Sequence, residues 1–259
     1  MISLTNQLTI VLFVHRRDLS IDLSCEAADD GRLKFVVISD VHANLEALSA
    51  VLALARSEDV YCLGDLVDYG AQPNEVIRAV RERGVKCILG NHDRAALTGD
   101  TSTFNARAAM SSVWTRKALT EESLRYLRTL AMEMRPELGV GAYFAHGSPD
   151  DRLEEYVDPR THSDLFGHYL DKLKVTVIGL GHTHVPYVWK EHGRVVFNPG
   201  SVGQPRDGDW RASFAAVTVE GGRCEAEVTR VEYDVGSASK KILDAGLPSF
   251  FAERIRDGV

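Results

Sequence analysis

The feature that most constrains this chain is a recurring join, in which an apolar, β-rich run of four to six residues stops at Asp, Asn or His beside a glycine or a turn. Lys34–Ser39 leads into Asp40-Val41-His42, Val60–Leu63 into Gly64-Asp65, and Val85–Leu89 into Gly90-Asn91-His92-Asp93. Later, Gly141–Ala145 leads into His146-Gly147, and Val175–Leu180 into Gly181-His182-Thr183-His184. Unbroken apolar runs of this length read as strands buried on both faces. Between the first three lie helical patterns. Leu45, Leu48, Leu52 and Ala55 recur at spacings of three and four, and Pro73–Arg83 has Pro73 in its first turn and Gly84 as its stop. Strand–helix–strand–helix–strand at this spacing requires right-handed crossovers and a parallel sheet, whose carboxyl edge is where ligands bind. Each strand delivers its polar residues to that edge.

The remainder is patterned differently. Residues 105–130 read as helical, with Thr120 as an N-cap and Glu121 and Glu122 in the first turn. After Pro136 strands return, interrupted by a helix expected over Asp164–Leu173 with Ser163 as its cap. Tyr187–Lys190 and Arg194–Phe197 flank Glu191-His192-Gly193 as a hairpin, and Ala212–Val219 with Cys224–Val231 forms another turning at Gly221-Gly222. Between Lys240 and Arg256 any long helix is broken at Gly246-Leu247-Pro248. Two β-rich halves with helices outside imply stacked sheets between helical layers. A length of 259 residues suits one large α/β domain, and no linker-like stretch divides it. That domain is expected over 33–259. Residues 1–32 read as an appendage: an extra edge strand, a flexible tail, or a segment ahead of a misplaced start. Its run Leu8–Val14 has no Lys or Arg before it until the start and no small-x-small site after it, and is too short to span a bilayer.

Net charge is −7, which argues against a protein that coats a nucleic-acid backbone. It leaves phosphate substrates open, because bound metal ions invert a local field. Four cysteines without a C-x-x-C pair read as reduced thiols of a cytoplasmic protein. A single D-x-H or H-x-H is weak evidence, since a lone strand-end His is more often solvated. Five such motifs in order, each directly after a strand, exceed what capping explains and point to a metal site. Carboxylates and imidazoles suit Mn²⁺, Fe²⁺, Zn²⁺ and Co²⁺. The absence of Cys from all five motifs argues against a structural zinc cluster. An Asp can also bridge two cations and offset their repulsion. His15, His162, His168 and His192 have no ligand-like company and read as surface or structural.

The ordered set D-x-H, GD-x-x-D, GNHD, H and GHTH stands here as Asp40/His42, Gly64-Asp65-Leu66-Val67-Asp68, Gly90–Asp93, His146 and Gly181–His184. It resembles the calcineurin-like metallophosphoesterase superfamily over about Leu33–Val231, and within it the small bacterial phosphodiesterase and dinucleoside-tetraphosphate hydrolase branches. The resemblance implies an α/β fold, a four-layer αββα sandwich with two mixed sheets. It implies that Asp40, His42 and His184 hold one divalent ion, that Asn91, His146 and His182 hold a second, and that Asp65 bridges both. Manganese is the first expectation, with iron, zinc, cobalt or nickel as alternatives. His92 would be the catalytic imidazole, oriented by Asp93, and the reaction an in-line attack by metal-bound hydroxide. Asp68 reads either as a hydrogen-bond partner in the site or as a turn residue.

The implied substrate is a small phosphate ester, a phosphodiester or nucleotide, with Asn91, Arg94, Asn198 and Arg206 as candidate substrate contacts. A dinucleoside polyphosphate hydrolase and a Ser/Thr protein phosphatase are the alternatives. The latter clamps its dianion with two arginines, for which Arg94 and Arg206 are the candidates. A non-catalytic protein-binding scaffold of the same fold is the alternative from another class, but there the catalytic imidazole would be lost, and His92 is present. Neither a membrane nor long nucleic acid is expected as a partner, and a homo-oligomer remains open.

Overall fold

A computed structural model describes residues 32–56 and 58–259. The apolar run at 8–14, His15, Cys25 and all of the appendage but Arg32 lie outside them. In chain order the first half runs β1 (Leu33–Ile38), α1 (Leu45–Leu54), β2 (Asp59–Cys62), α2 (Pro73–Arg83), β3 (Lys86–Cys87), α3 (Asn91–Thr98), α4 (Ala106–Ala118), α5 (Glu121–Leu127) and β4 (Glu133–Met134). The second half runs β5 (Ala142–Ala145), α6 (Pro159–Leu173), β6 (Val177–Leu180), β7 (Tyr187–Glu191), β8 (Arg194–Asn198), β9 (Ala212–Glu220), β10 (Arg223–Val231), α7 (Val235–Asp244) and α8 (Ser249–Asp257).

One five-stranded sheet has the order β10-β9-β1-β2-β3, the other β4-β5-β6-β8-β7. The parallel pairs β1/β2, β2/β3, β5/β6 and β6/β8 sit centrally, with antiparallel strands at their flanks. Alternation along β1 builds both of its contacts. Phe35 and Val37 face the second sheet, meeting Phe144, Val177 and Phe197, while Val36 and Ile38 face Leu48 and Val51 of α1 and Val76 and Val80 of α2. On the far side, α6 lays Phe166, Tyr169 and Leu170 against Tyr143, Ile178 and Val196. Helix, sheet, sheet, helix is the four-layer α/β sandwich, and it brings the carboxyl ends of β1, β2, β3, β5 and β6 to one edge.

The structure departs from the sequence reading in four places. Only Lys86–Cys87 of the third apolar run joins a ladder; Leu89 N donates instead to Ala131 O at 2.7 Å, and the chain turns at once into α3. Helix α6 begins at Pro159, not Asp164: Pro is suited to a first helical position, and Asp158 is the cap, accepting the Arg160 N–H. The buried face of α1 centres on Ala47, Leu48 and Val51, leaving Leu45 and Leu52 half-buried. The C-terminal stretch is two helices, α7 and α8, which pack on Tyr69 beside the polar edge. None of the described helices is long and apolar enough to cross a membrane.

Candidate metal centre

The loops at this edge are tightly constrained. Asp40, His42, Asp65, Asp68, His182 and His184 all have φ between 47° and 72°, in the left-handed region. Each such non-glycine residue costs on the order of 1–2 kcal/mol. Backbone bonds between loops hold them there: Asp40 N to Gly64 O and His42 N to Asp65 O, both 3.0 Å, and Gly203 N to Asp40 O, 3.0 Å. Close approach also needs glycine. A Cβ at Gly90 would lie 2.0 Å from Asp65 Oδ1, and one at Gly64 would lie 2.6 Å from Gly90 N.

The result is two buried triads, Asp40/His42/His184 and Asp65/His146/His182, each with its donor atoms within 4.8 Å of one another. Three imidazoles are aimed by backbone carbonyls. His42 Nδ1 donates to Val67 O (2.9 Å), His146 Nδ1 to Leu63 O (2.8 Å) and His184 Nδ1 to Gln204 O (2.5 Å). Each therefore turns an Nε2 lone pair inward, and the Nε2 atoms of His42 and His184 face each other at 3.1 Å. His182 is the converse: its Nε2 lies 3.1 Å from Glu154 O, which leaves Nδ1 for the triad. Asp65 reaches both groups, its Oδ2 standing 3.7 Å from His42 Nε2 and 3.2 Å from His146 Nε2. Asn91 Oδ1 is 3.1 Å from His146 Nε2.

These atoms fit divalent ions. Asp40 Oδ1 and Asp65 Oδ2 are buried and accept no hydrogen bond, so lone pairs oppose lone pairs, an arrangement that a cation relieves. Two carboxylates, four imidazoles and an amide oxygen without thiolate suit Mn²⁺, Fe²⁺ or Zn²⁺. Burial disfavours a charged His182, and with the His146 charge it pushes the imidazole down to about 3, keeping it neutral as a ligand must be. Burial likewise disfavours a charged His146, yet the Asp65 carboxylate outweighs it and lifts that imidazole to about 9. The cradle attracts positive charge.

Beside the triads, His92 is buried, with Nδ1 2.7 Å from Asp68 Oδ2 and Nε2 3.1 Å from the Tyr69 hydroxyl. Burial lowers its basicity, but the Asp65 charge and the Asp68 hydrogen bond outweigh that, and the net shift is upward. The carboxylate on His92 is thus Asp68. Asp93, expected in that role, accepts the N–H groups of Gly90, Asp65, Leu66 and Val67 at 2.9–3.2 Å. It stands at the third position of α3 and folds back to cap the helix start. Two candidate substrate contacts are also otherwise engaged. Arg94 is ion-paired with Glu154. Asn198 is fully buried, bonding Gly181 O, Thr183 Oγ1 and the Gly200 N–H to brace the loop. Arg206 has no carboxylate partner among the described residues and lines an open cavity. His162, His168 and His192 lie away from the triads, on α6 and in the β7–β8 turn.

Sequence reasoning missed the aromatic rim. Phe104 lies 4.4 Å from the His92 ring and Tyr156 4.0 Å from the His182 ring, centroid to centroid. Tyr69 was within reach, since it directly follows the GD-x-x-D motif. Phe104 and Tyr156 sit in connections whose spacing carries no signal.

Comparison with known proteins agrees with this geometry. The family model of the calcineurin-like phosphoesterase superfamily domain matches residues 33–222. An uncharacterized protein of Methanocaldococcus jannaschii is 35% identical over 240 residues, covering 85% of this chain and 96% of its own. The crystal structure of a metallophosphoesterase from Sphaerobacter thermophilus is 35% identical with a TM-score of 0.76, covering 88% of this chain and 100% of its own. A hypothetical protein from Pyrococcus horikoshii, 22% identical with a TM-score of 0.78 over 88% of this chain and 99% of its own, shares the fold.

Proposed function

The chain belongs to the calcineurin-like phosphoesterase superfamily, and on that footing we propose that it hydrolyses phosphodiesters or nucleotides with two divalent ions, manganese first among them. The observation that carries this reading is the convergence of two Asp/His triads on Asp65, with His92 alongside. Asp40, His42 and His184 would hold one ion, Asn91, His146 and His182 the other, and Asp65 both. Ions bound there would polarise the phosphoryl oxygens and bring the pKa of a water molecule near neutrality. His92, fixed at Nδ1 by Asp68, turns Nε2 toward the open side, where it would protonate the leaving oxygen. Asn91 places its amide beside both the second triad and the reacting phosphate. A diester carries one negative charge and needs no arginine pair, which accords with Arg94 being held by Glu154. Net charge −7 supports a small substrate over a duplex, and the buried free thiols Cys62, Cys87 and Cys224 support a cytoplasmic setting.

The test is turnover of bis(p-nitrophenyl) phosphate and p-nitrophenyl phosphate by Mn²⁺-reconstituted protein, beside Asp65→Asn and His92→Ala. Diester turnover should require the metal and fall by about a hundredfold or more in each variant. A folded, metal-loaded wild type inactive across Mn²⁺, Fe²⁺, Co²⁺, Ni²⁺ and Zn²⁺ would end the reading.

A further inference from the structure

Next to the metal centre lies a cavity of about 640 Å³, between the start of α4, the loop after β8 and α8. It shares walls with the centre. Tyr69 lines it and meets His92 Nε2 at 3.1 Å, Tyr156 lines it and packs on His182, and the Arg206 N–H donates to His184 O at 3.4 Å. Its charge is unlike that of the rest of the surface. Elsewhere Arg94, Arg211 and Arg230 each sit on a carboxylate, in a chain of net charge −7. Arg107, Arg206 and Arg254 all line the cavity, and among the described residues none of them pairs with one. Arg206 meets only Gln204 Oε1 at 3.4 Å, and its Nε is buried without a partner. Arg254 donates to the Val259 carbonyl, and Arg107 stacks 3.7 Å from the centre of the Phe250 ring. Burial first, and then the charge of Arg206, push the Arg254 guanidinium down from its ordinary value. Like charges gathered in a half-buried space raise the energy of the free protein, and an anion placed among them relieves it.

We propose that this cavity binds a second anionic group of the substrate, so that the favoured substrate is a phosphoester carrying at least two phosphates, of the nucleoside polyphosphate kind. The inference rests on the hydrolase reading above and names its substrate class. Guanidinium forks match phosphate oxygens in pairs, and a space of this volume accommodates a nucleotide-sized ligand. One face of Tyr156 packs on His182, and the side chain is 54% exposed, so its outer face is open for a base to stack on.

The experiment compares kcat/KM of the Mn²⁺-loaded full chain on three esters. Bis(p-nitrophenyl) phosphate has one charge and no base, thymidine 5′-(p-nitrophenyl phosphate) one charge and one base, and a dinucleoside tetraphosphate several charges. The tetraphosphate should be preferred, and Arg206→Gln or Arg254→Gln should each reduce that preference about ten- to a hundredfold, the loss of one charge-assisted phosphate contact. Arg160→Gln, on the exposed start of α6, should leave the preference intact, and thermal unfolding of each variant checks its fold. Equal turnover of all three esters overturns the proposal, as does a preference that follows the base alone or survives both cavity variants. If none is hydrolysed, the hydrolase reading fails, and equilibrium binding of adenosine 5′-diphosphate to the same samples decides the cavity separately. Binding weakened by Arg206→Gln upholds it, and no binding overturns it.

Discussion

Asp68 and Asp93 are both fully buried carboxylates beside the triads, and they have opposite tasks. Asp68 touches His92, whereas Asp93 gathers four backbone N–H groups that tie the β2 and β3 loops together. Asp68→Asn should therefore lower kcat by about a hundredfold, within the range of general acid–base contributions, with metal content and melting temperature nearly unchanged. Asp93→Asn turns an amide NH₂ toward backbone donors and should cost about 2–3 kcal/mol in denaturant unfolding. A silent Asp68→Asn beside a stable but inactive Asp93→Asn would reverse the two assignments. The sequence offered both carboxylates and favoured Asp93 by adjacency. In a helix, neighbours in sequence diverge, so His92 and Asp93 point apart, while the turn at Asp68, with φ 72°, returns its side chain to the imidazole. The ligands themselves were legible because strand ends oblige a motif to sit at one edge of the sheet.

Elements were legible where punctuation is chemical. Helix α2 runs from Pro73 to Arg83 and stops at Gly84 in the left-handed conformation, and both hairpins turn on glycines, all as their residues dictate. Helix α3 was not read, because its start is the GNHD motif and its eight residues are too few to establish a period. Helix α6 yields a test of its cap. The Arg160 side chain and N–H hold the Asp158 carboxyl at about 2, below its ordinary value. A carboxyl depressed in the folded state stabilises above its unfolded pKa, and that contribution fades as pH falls toward the folded value. Asp158→Ala should thus cost about 1 kcal/mol near neutrality, with the gap to wild type closing between roughly pH 4 and pH 2. A gap independent of pH would mean that the charge contributes nothing to the cap.

At the scale of the molecule, the metal centre joins both sheets, so ions that bind the folded state alone should hold the halves together. At a free Mn²⁺ concentration of 100 times Kd the gain is about 2.7 kcal/mol per site, roughly 5–10 °C in melting temperature for a chain of this size. EDTA should reverse the rise and Asp65→Asn should abolish it. A melting temperature indifferent to metal would contradict a centre shared by the two sheets. The layered fold was legible because strand and helix periods repeat, and the arginine cavity was not, since residues 107, 206 and 254 meet only through the packing of distant segments. The bracing of the left-handed loops has the same long reach: Ser201 Oγ donates to Asp40 O across 161 residues, and Gly203 N–H closes on the same carbonyl. For a nascent chain this sets an order of events. Asp40 and His42 leave the ribosome long before His184, and Asp65 before His146 and His182, so no early fragment carries a whole triad. Ion capture comes at the end of synthesis, when the loops that select the ion are already closed around its place.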